Sequence, residues 1–325
     1  MNDRADLRAA RLDGCRMRRL AVVLLVLIVA VPVLGVGLGP LALLAAFRKE
    51  VLPPPRDLPV KTVNFRSSDG VDLVAWYVEA EAPKATVILV HGASGTRGDP
   101  FVDLPGMMRD LVGRNYAVLA PDLRNHGDSA AGPRPPQFGP DEAQDVIAAV
   151  NWVKERDPTR RVAVYGISMG GNAAIYAAVA DPRIEAVITQ ETFTQGAPVM
   201  RRGLQAETGY PDFVIDGLLW GARHLWGLGD SNGRAIEVVG QLGTRPYLII
   251  HSRSDPIVPF ADAEALAAAD PAARLWATPA PDPADPRLLE AGAWGSHGQS
   301  YVFYRELWID TVGGFLDSVF ATMFG

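Results

Sequence analysis

The chain has 325 residues, 48% of them hydrophobic and 21% charged, with a formal net charge of −6. That charge, with no basic block after residue 66, argues against a nucleic-acid partner, and the length allows one large domain or two small ones. Cys15 is the only cysteine, which excludes an intrachain disulfide and a cysteine nucleophile in the globular part.

Residues 1–19 form a short, arginine-rich tail. From Leu20 to Phe47 there are 28 residues without a charge. A hydrocarbon core of about 30 Å needs roughly 20 apolar helical residues, so this run is long enough to span a bilayer with tilt. Pro32, Gly35, Gly37 and Gly39 would bend such a helix, which membrane helices tolerate. The apolar stretch of a cleaved signal peptide is only about 7–15 residues, and a buried core helix would show a polar period. The expectation is one uncleaved transmembrane helix over residues 20–47. Residues 5–19 carry five arginines, against four Lys and Arg over residues 48–62. This slight bias, with a short basic tail preceding the apolar run, predicts an N-in orientation and an extracytoplasmic C-terminal domain. Residues 48–60 follow as a linker, in which the prolines of Glu50–Pro59 favour a stiff, extended chain.

The globular part, residues 61–325, alternates strands and helices. Val71–Val78 alternates in polarity. Ala85–Val90, Tyr116–Ala120, Arg161–Tyr165, Ile184–Thr189 and Pro246–Ile250 are short apolar runs, suited to strands buried on both faces. Asp141–Lys154 sets Val146, Ile147, Val150 and Val153 on one helical face. The pattern predicts an α/β fold, a mostly parallel sheet with helices on both faces. Residues 193–243 break the rhythm with helix-prone sequence and no clear strand, which predicts a helical lid inserted above the sheet. Its apolar and aromatic residues favour an apolar ligand group. Arg201 and Arg202 within it read as solvated.

The sharpest chemical signal is Gly166-Ile167-Ser168-Met169-Gly170, between an apolar strand and a small-residue helix. A sharp strand-to-helix turn lifts a serine hydroxyl above the sheet, and glycines two residues either side make room for it. The new helix points its N-terminal dipole at developing negative charge. His91-Gly92-Ala93-Ser94-Gly95, after the strand Ala85–Val90, supplies a turn that can aim a backbone N–H at the same place. The N–H groups of Ala93 and Met169 are therefore the candidate oxyanion hole. The His91 side chain reads as a structural hydrogen-bonder.

On these two elements the chain resembles the α/β-hydrolase family over residues 61–325, most closely its esterase, lysophospholipase-like and serine-peptidase-like branches. Asp122-Leu123-Arg124-Asn125-His126-Gly127-Asp128-Ser129 is similar to a family turn that is usually structural, so His126 and Asp128 are given no catalytic role. His251-Ser252-Arg253-Ser254-Asp255-Pro256-Ile257-Val258-Pro259 looks like the family's acid-bearing loop, with Ser252 where glycine is common. The resemblance implies Asp255 as the carboxylate that holds the base in one tautomer. Glu191, at the end of Ile184–Thr189, is the rival acid. Gly295-Ser296-His297-Gly298 resembles the family's small-residue loop carrying the histidine. His91, His126 and His251 belong to other motifs, and His224 precedes the acid, which breaks the order Ser, acid, His. His297 is left as the base. The segment Thr278–Trp294 is long and rich in Pro and Asp for such a loop, with Asp282 and Asp285 read as solvated.

The resemblance implies a serine hydrolase acting on carboxylic esters, possibly lipid-like ones, through Ser168, His297 and Asp255. A serine peptidase or amidase would use the same residues. A non-catalytic membrane scaffold of this fold would typically lack one of them. With no H-E-x-x-H, cysteine cluster or phosphate loop, neither a metal nor a cofactor is expected.

Overall fold

A computed structural model describes residues 17–18, 20, 22, 30 and 33–321. Eight strands form one sheet: β1 (Lys61–Arg66), β2 (Asp72–Val78), β3 (Thr86–Val90), β4 (Ala117–Pro121), β5 (Val162–Ile167), β6 (Ile184–Gln190), β7 (Tyr247–Ser252) and β8 (Ala273–Thr278). Their spatial order is β1-β2-β4-β3-β5-β6-β7-β8. β2 runs antiparallel to both β1 and β4, and every pairing from β4 onward is parallel.

The helices are α1 (residues 33–45), α2 (Leu104–Gly113), α3 (Glu142–Arg156), α4 (Met169–Ala180), α5 (Gly196–Thr208), α6 (Asp212–Trp226), α7 (Phe260–Ala269), α8 (Pro286–Ala291), α9 (Ser300–Phe303) and α10 (Arg305–Phe320). Strand alternation divides the interior into two cores. Ile88, Val90, Val162 and Val164 face one side and pack with α3, α4 and α7. Val87, Leu89, Ala163 and Tyr165 face the other and pack with α2 and α10. A central strand covered on both faces must be apolar at every position, which is why these runs show no period-2 pattern. Trp308 of α10 is among the largest side chains fully buried in the second core. Truncating a residue of that size to alanine typically costs about 3–5 kcal/mol.

Six expected strands coincide with β2 through β7 to within two residues. The edge strands β1 and β8 are additional. β1 is largely exposed and β8 only half-buried, so neither carries the continuous apolar signal of an inner strand. The C-terminal helical segment begins at Ser300 and breaks at Tyr304 into α9 and α10. Between β6 and β7 lie α5, α6 and three short 3₁₀ turns, with no strand.

The run 20–47 lies partly outside the described residues. Among those described, no helix is long and apolar enough to cross a membrane. α1 packs on α6, where the Trp226 indole donates to Gly37 O at 2.7 Å. Residues 48–60 hold no helix or strand, but they lie along the domain rather than standing off it. Arg48 donates to Gly127 O at 2.8 Å, the Arg109 guanidinium is bidentate on Asp57, and Val51, Leu58 and Val60 pack against the second core.

Candidate active site

Ser168 follows β5 directly and caps α4, with φ 52° and ψ −115°. Such a backbone is strained for a residue with a Cβ, and strain of this kind persists only where the surroundings impose it. They do so here through close approach. A Cβ on Gly166 would stand 2.2 Å from Gly170 O, and one on Gly170 would stand 2.4 Å from His91 O. Only glycine fits at either position, so both flanking glycines of the motif are explained by packing. The Ser168 N–H donates to Gln190 O at 2.8 Å, tying the turn to β6.

His297 faces Ser168, its Nε2 3.1 Å from Ser168 Oγ, and its Nδ1 lies 2.8 Å from Asp255 Oδ2. Asp255 follows β7. Its other oxygen, Oδ1, accepts from the N–H groups of Ile257 at 2.7 Å and Val258 at 2.9 Å. Burial pushes the Asp255 carboxyl up, but the facing His297 and these donors hold it below the ordinary aspartate value. It is therefore a carboxylate whose position is fixed on both oxygens. The structure brings Ser168, His297 and Asp255 together in one hydrogen-bonded line, all nearly buried.

The turn after β3 lies beside this line. Gly92 is so near that a Cβ there would be 3.4 Å from the Ser168 Cβ. Met169 is the first residue of α4, where a backbone N–H has no partner in its own helix. Among the described residues, neither the Ala93 nor the Met169 N–H donates to a protein acceptor. Both N–H groups therefore lie beside Ser168 without a protein acceptor.

The other histidines are engaged elsewhere. His91 accepts from Leu123 N at 3.0 Å through Nε2 and donates through Nδ1 to Gly92 O, so it ties the β3 turn to the turn after β4. Asp122 strengthens that tie by accepting from the N–H groups of Arg97 and Asp128 and pairing with the Arg97 guanidinium. His126 donates to Arg124 O at 2.7 Å and is fully buried against Phe47. His251 donates to Val258 O at 3.0 Å. His224 lies on α6, stacked on Trp220. Glu191 is buried at the end of β6 and holds the Ser300 hydroxyl, not His297.

Among the residues that position the base, Gln190, Tyr165 and Trp308 carried no motif. Gln190 Nε2 donates to Gly298 O at 2.7 Å, next to His297. The Gln190 Oε1 accepts from the Tyr165 hydroxyl, which in turn accepts from the Trp308 indole at 2.8 Å. Ser252 and Ser296 join the acid and base loops through their hydroxyls at 2.8 Å. Trp294 lies with its ring 5.8 Å from that of His297, packs on Gly203 of α5 and donates to Glu207 at 2.9 Å. The lid is thereby joined to the base. Arg201 is a surface guanidinium, as read, paired with the exposed Asp212 and Asp216, whereas Arg202 donates to Ile257 O. Asp285 caps α8 and pairs with Arg287. Among the described residues, no cluster of His, Cys, Asp and Glu is arranged to hold a metal.

A cavity of about 650 Å³ lined by Arg161, Arg245 and Arg274 opens at the N-terminal ends of the parallel strands, the pole opposite Ser168. It takes no part in this arrangement.

The chain matches the Alpha/beta hydrolase family over residues 87–311. Among solved structures it is similar to the esterase Pf2001 of Pyrococcus furiosus, with a TM-score of 0.68 at 23% identity, covering 84% of this chain and 98% of that one. Est1E of Butyrivibrio proteoclasticus, solved with ferulic acid bound, gives a TM-score of 0.57 at 18% identity, covering 79% and 99%. Lysophosphatidylserine lipase ABHD12 of Xenopus tropicalis is 26% identical over 216 residues, 62% of this chain and 50% of that protein. The aligned part spans about half the length of the curated relatives it matches.

Proposed function

The chain belongs to the alpha/beta hydrolase family, and we propose that it is a membrane-anchored serine esterase acting on amphiphilic carboxylic esters. The observation that carries the reading is the unbroken line Ser168–His297–Asp255 beside two unpartnered N–H groups. Neutral His297 accepts the Ser168 proton through Nε2 while Oγ attacks the acyl carbonyl. The oxyanion is held by the Ala93 and Met169 N–H groups, each such donor being worth about 10²–10³ in rate. Protonated His297 then gives its proton to the departing alcohol, leaving an acyl-enzyme on Ser168. A water deprotonated by the same imidazole releases the acid. Asp255 holds Nδ1 protonated throughout and stabilises the imidazolium.

The substrate class rests on the lid and on the relatives. Trp294 and α5 bring apolar surface to the His297 side of the site, and the relatives include esterases and a lysophosphatidylserine lipase. The anchor rests on the charge-free run 20–47 and on length alone.

Labelling with a fluorophosphonate, followed by a panel of esters of graded acyl length and matched amides, tests the reading. Covalent labelling with ester turnover supports it. Amide turnover at comparable rates would make the protein a peptidase or amidase, and no labelling would make it a scaffold.

A further inference from the structure

We propose that the outer face of the lid, formed by α6 together with α1, seats on the hydrocarbon edge of a lipid bilayer and admits substrate from it. The proposal rests on the anchored reading of residues 20–47 and goes beyond it, since a tethered domain need not touch the membrane with its lid.

Packing between α1 and α6 is the first observation. Gly217 and Gly221, four residues apart, face α1, and a Cβ on Gly221 would stand 2.0 Å from Val36 O. On the other helix, a Cβ on Gly39 would meet Leu218 at 2.7 Å. Two helices thus approach backbone to backbone through small residues. This is the contact used where apolar surroundings remove the hydrophobic drive between helices and close dispersion contact must replace it.

Exposed surface is the second. Leu34, Leu38 and Leu41 of α1 and Phe213, Trp220 and Leu225 of α6 are exposed among the described residues, Phe213 by 77%. Large apolar side chains set together in this way mark an interaction surface. The third observation is charge. α1 has no charged residue, and on α6 the carboxylates of Asp212 and Asp216 pair with Arg201 while Arg223 pairs with Asp230. Asp212 and Asp216 share the one guanidinium of Arg201, and His224, without an opposite charge, stacks its ring on Trp220. Paired charges lower the cost of approaching a medium of low dielectric.

What selects a bilayer over a second copy is where the chain goes. α1 is the end of a run that stays free of charge back to Leu20. If that run enters the hydrocarbon, its continuation on α6 sits at the membrane surface. There tryptophan, with an apolar body and a polar N–H, is favoured. The inner side of the lid reaches the base through the packing of Trp294 on Gly203, so an acyl chain leaving the bilayer under α6 would arrive beside His297.

The test uses the full chain, with Cys15 replaced by serine, reconstituted in vesicles of phosphatidylcholine and phosphatidylglycerol. Single cysteines at Phe213 (F213C) and, as a control at the opposite pole, Glu81 (E81C) carry an environment-sensitive fluorophore. Spin-labelled lipids should quench the probe at 213 and leave the one at 81 unchanged. In parallel, F213D/W220D/L225D should hydrolyse a long-chain ester embedded in the vesicles at least about tenfold more slowly, with turnover of a short water-soluble ester preserved. Preserved soluble turnover also shows that the variant is folded. A chain that stays with the membrane after alkaline washing but shows no quenching at 213 overturns the proposal and leaves the anchor standing. A chain washed free overturns both. Self-association that shields position 213 from lipid and quencher alike makes the face a contact between copies, and likewise overturns it.

Discussion

Glu191 is held by the Ser300 hydroxyl, one strand away from the Asp255 that meets His297. The two carboxyl groups emerge from neighbouring strand ends, and their surroundings drive them apart. Burial, and then the negative charge of Asp255, push Glu191 well above the ordinary glutamate range. Asp255 is held below its ordinary value by His297 and backbone donors, despite its burial. Burial favours the neutral form of Glu191, whereas His297 and the backbone donors favour the charged form of Asp255, although sequence alone made them rivals.

E191Q should therefore keep ester turnover within a few-fold of wild type, because the replaced carboxyl meets Ser300 rather than His297 and its burial already favours the neutral form that the amide mimics. D255N should lose on the order of 10³–10⁴-fold in kcat, since an amide can stabilise the wrong imidazole tautomer. The pH dependence of stability gives a second readout. A carboxyl whose folded value is raised contributes full stability below its unfolded range and loses it as pH rises above that range. E191Q cannot ionise, so its Tm relative to wild type should increase from pH 5 to pH 9. Crippled turnover in E191Q with mild loss in D255N would reverse the two roles.

S168A should abolish both fluorophosphonate labelling and ester turnover while leaving the thermal transition in place. The serine hydroxyl donates no bond that holds the fold, and the turn itself is fixed by Gly166, Gly170 and the Ser168 N–H to Gln190 O. Alanine keeps the Cβ that this backbone already accommodates. Turnover near the wild-type rate in folded S168A protein would move the nucleophile elsewhere.

The inner strands were legible because a strand covered on both faces must be largely apolar, and β3 through β7 are, apart from polar residues near their ends such as Glu185, Gln190 and Ser252. β1 and β8 lie at the sheet edges with one face open, where the apolar signal weakens. The residues that meet at the site were legible for a different reason. Each sits at a strand end or in a turn whose glycines or prolines mark it. The groups that hold the base were not. Gln190, Tyr165 and Trp308 come from β6, β5 and α10, and no local spacing connects them. Only the three-dimensional order of the strands does.

The membrane orientation read from the basic tail makes a further prediction. Protease added to intact spheroplasts should digest the domain that follows residue 61, because an N-in anchor places it outside. The excess of five basic residues over four is small, and Arg48 is already engaged with Gly127 O. Survival of the domain until the membrane is broken would reverse the orientation.

The buried histidines set the acid limit of stability. His126 is depressed to about 3, first by burial and then by the neighbouring His91, with Arg48 adding to the effect. His91 and His251 are also lowered, mainly by burial. A histidine kept neutral in the fold binds its proton only on unfolding once the pH falls below about 6.5, so its stabilising contribution is complete above that value and shrinks toward the folded value. For His126 alone this amounts to about 2 kcal/mol lost between pH 8 and pH 5. Acidification across pH 6.5–5 therefore costs wild type this contribution, while the raised carboxyls of Glu191 and Asp145 act in the opposite direction, so the histidine is read from the difference between proteins. H126Q, which keeps a donor for Arg124 O and cannot take up a proton, should be less stable at pH 8, with its difference from wild type narrowing toward pH 5. Equal slopes for the two proteins between pH 6.5 and pH 5 would mean that His126 is protonated as readily in the fold as in the unfolded chain.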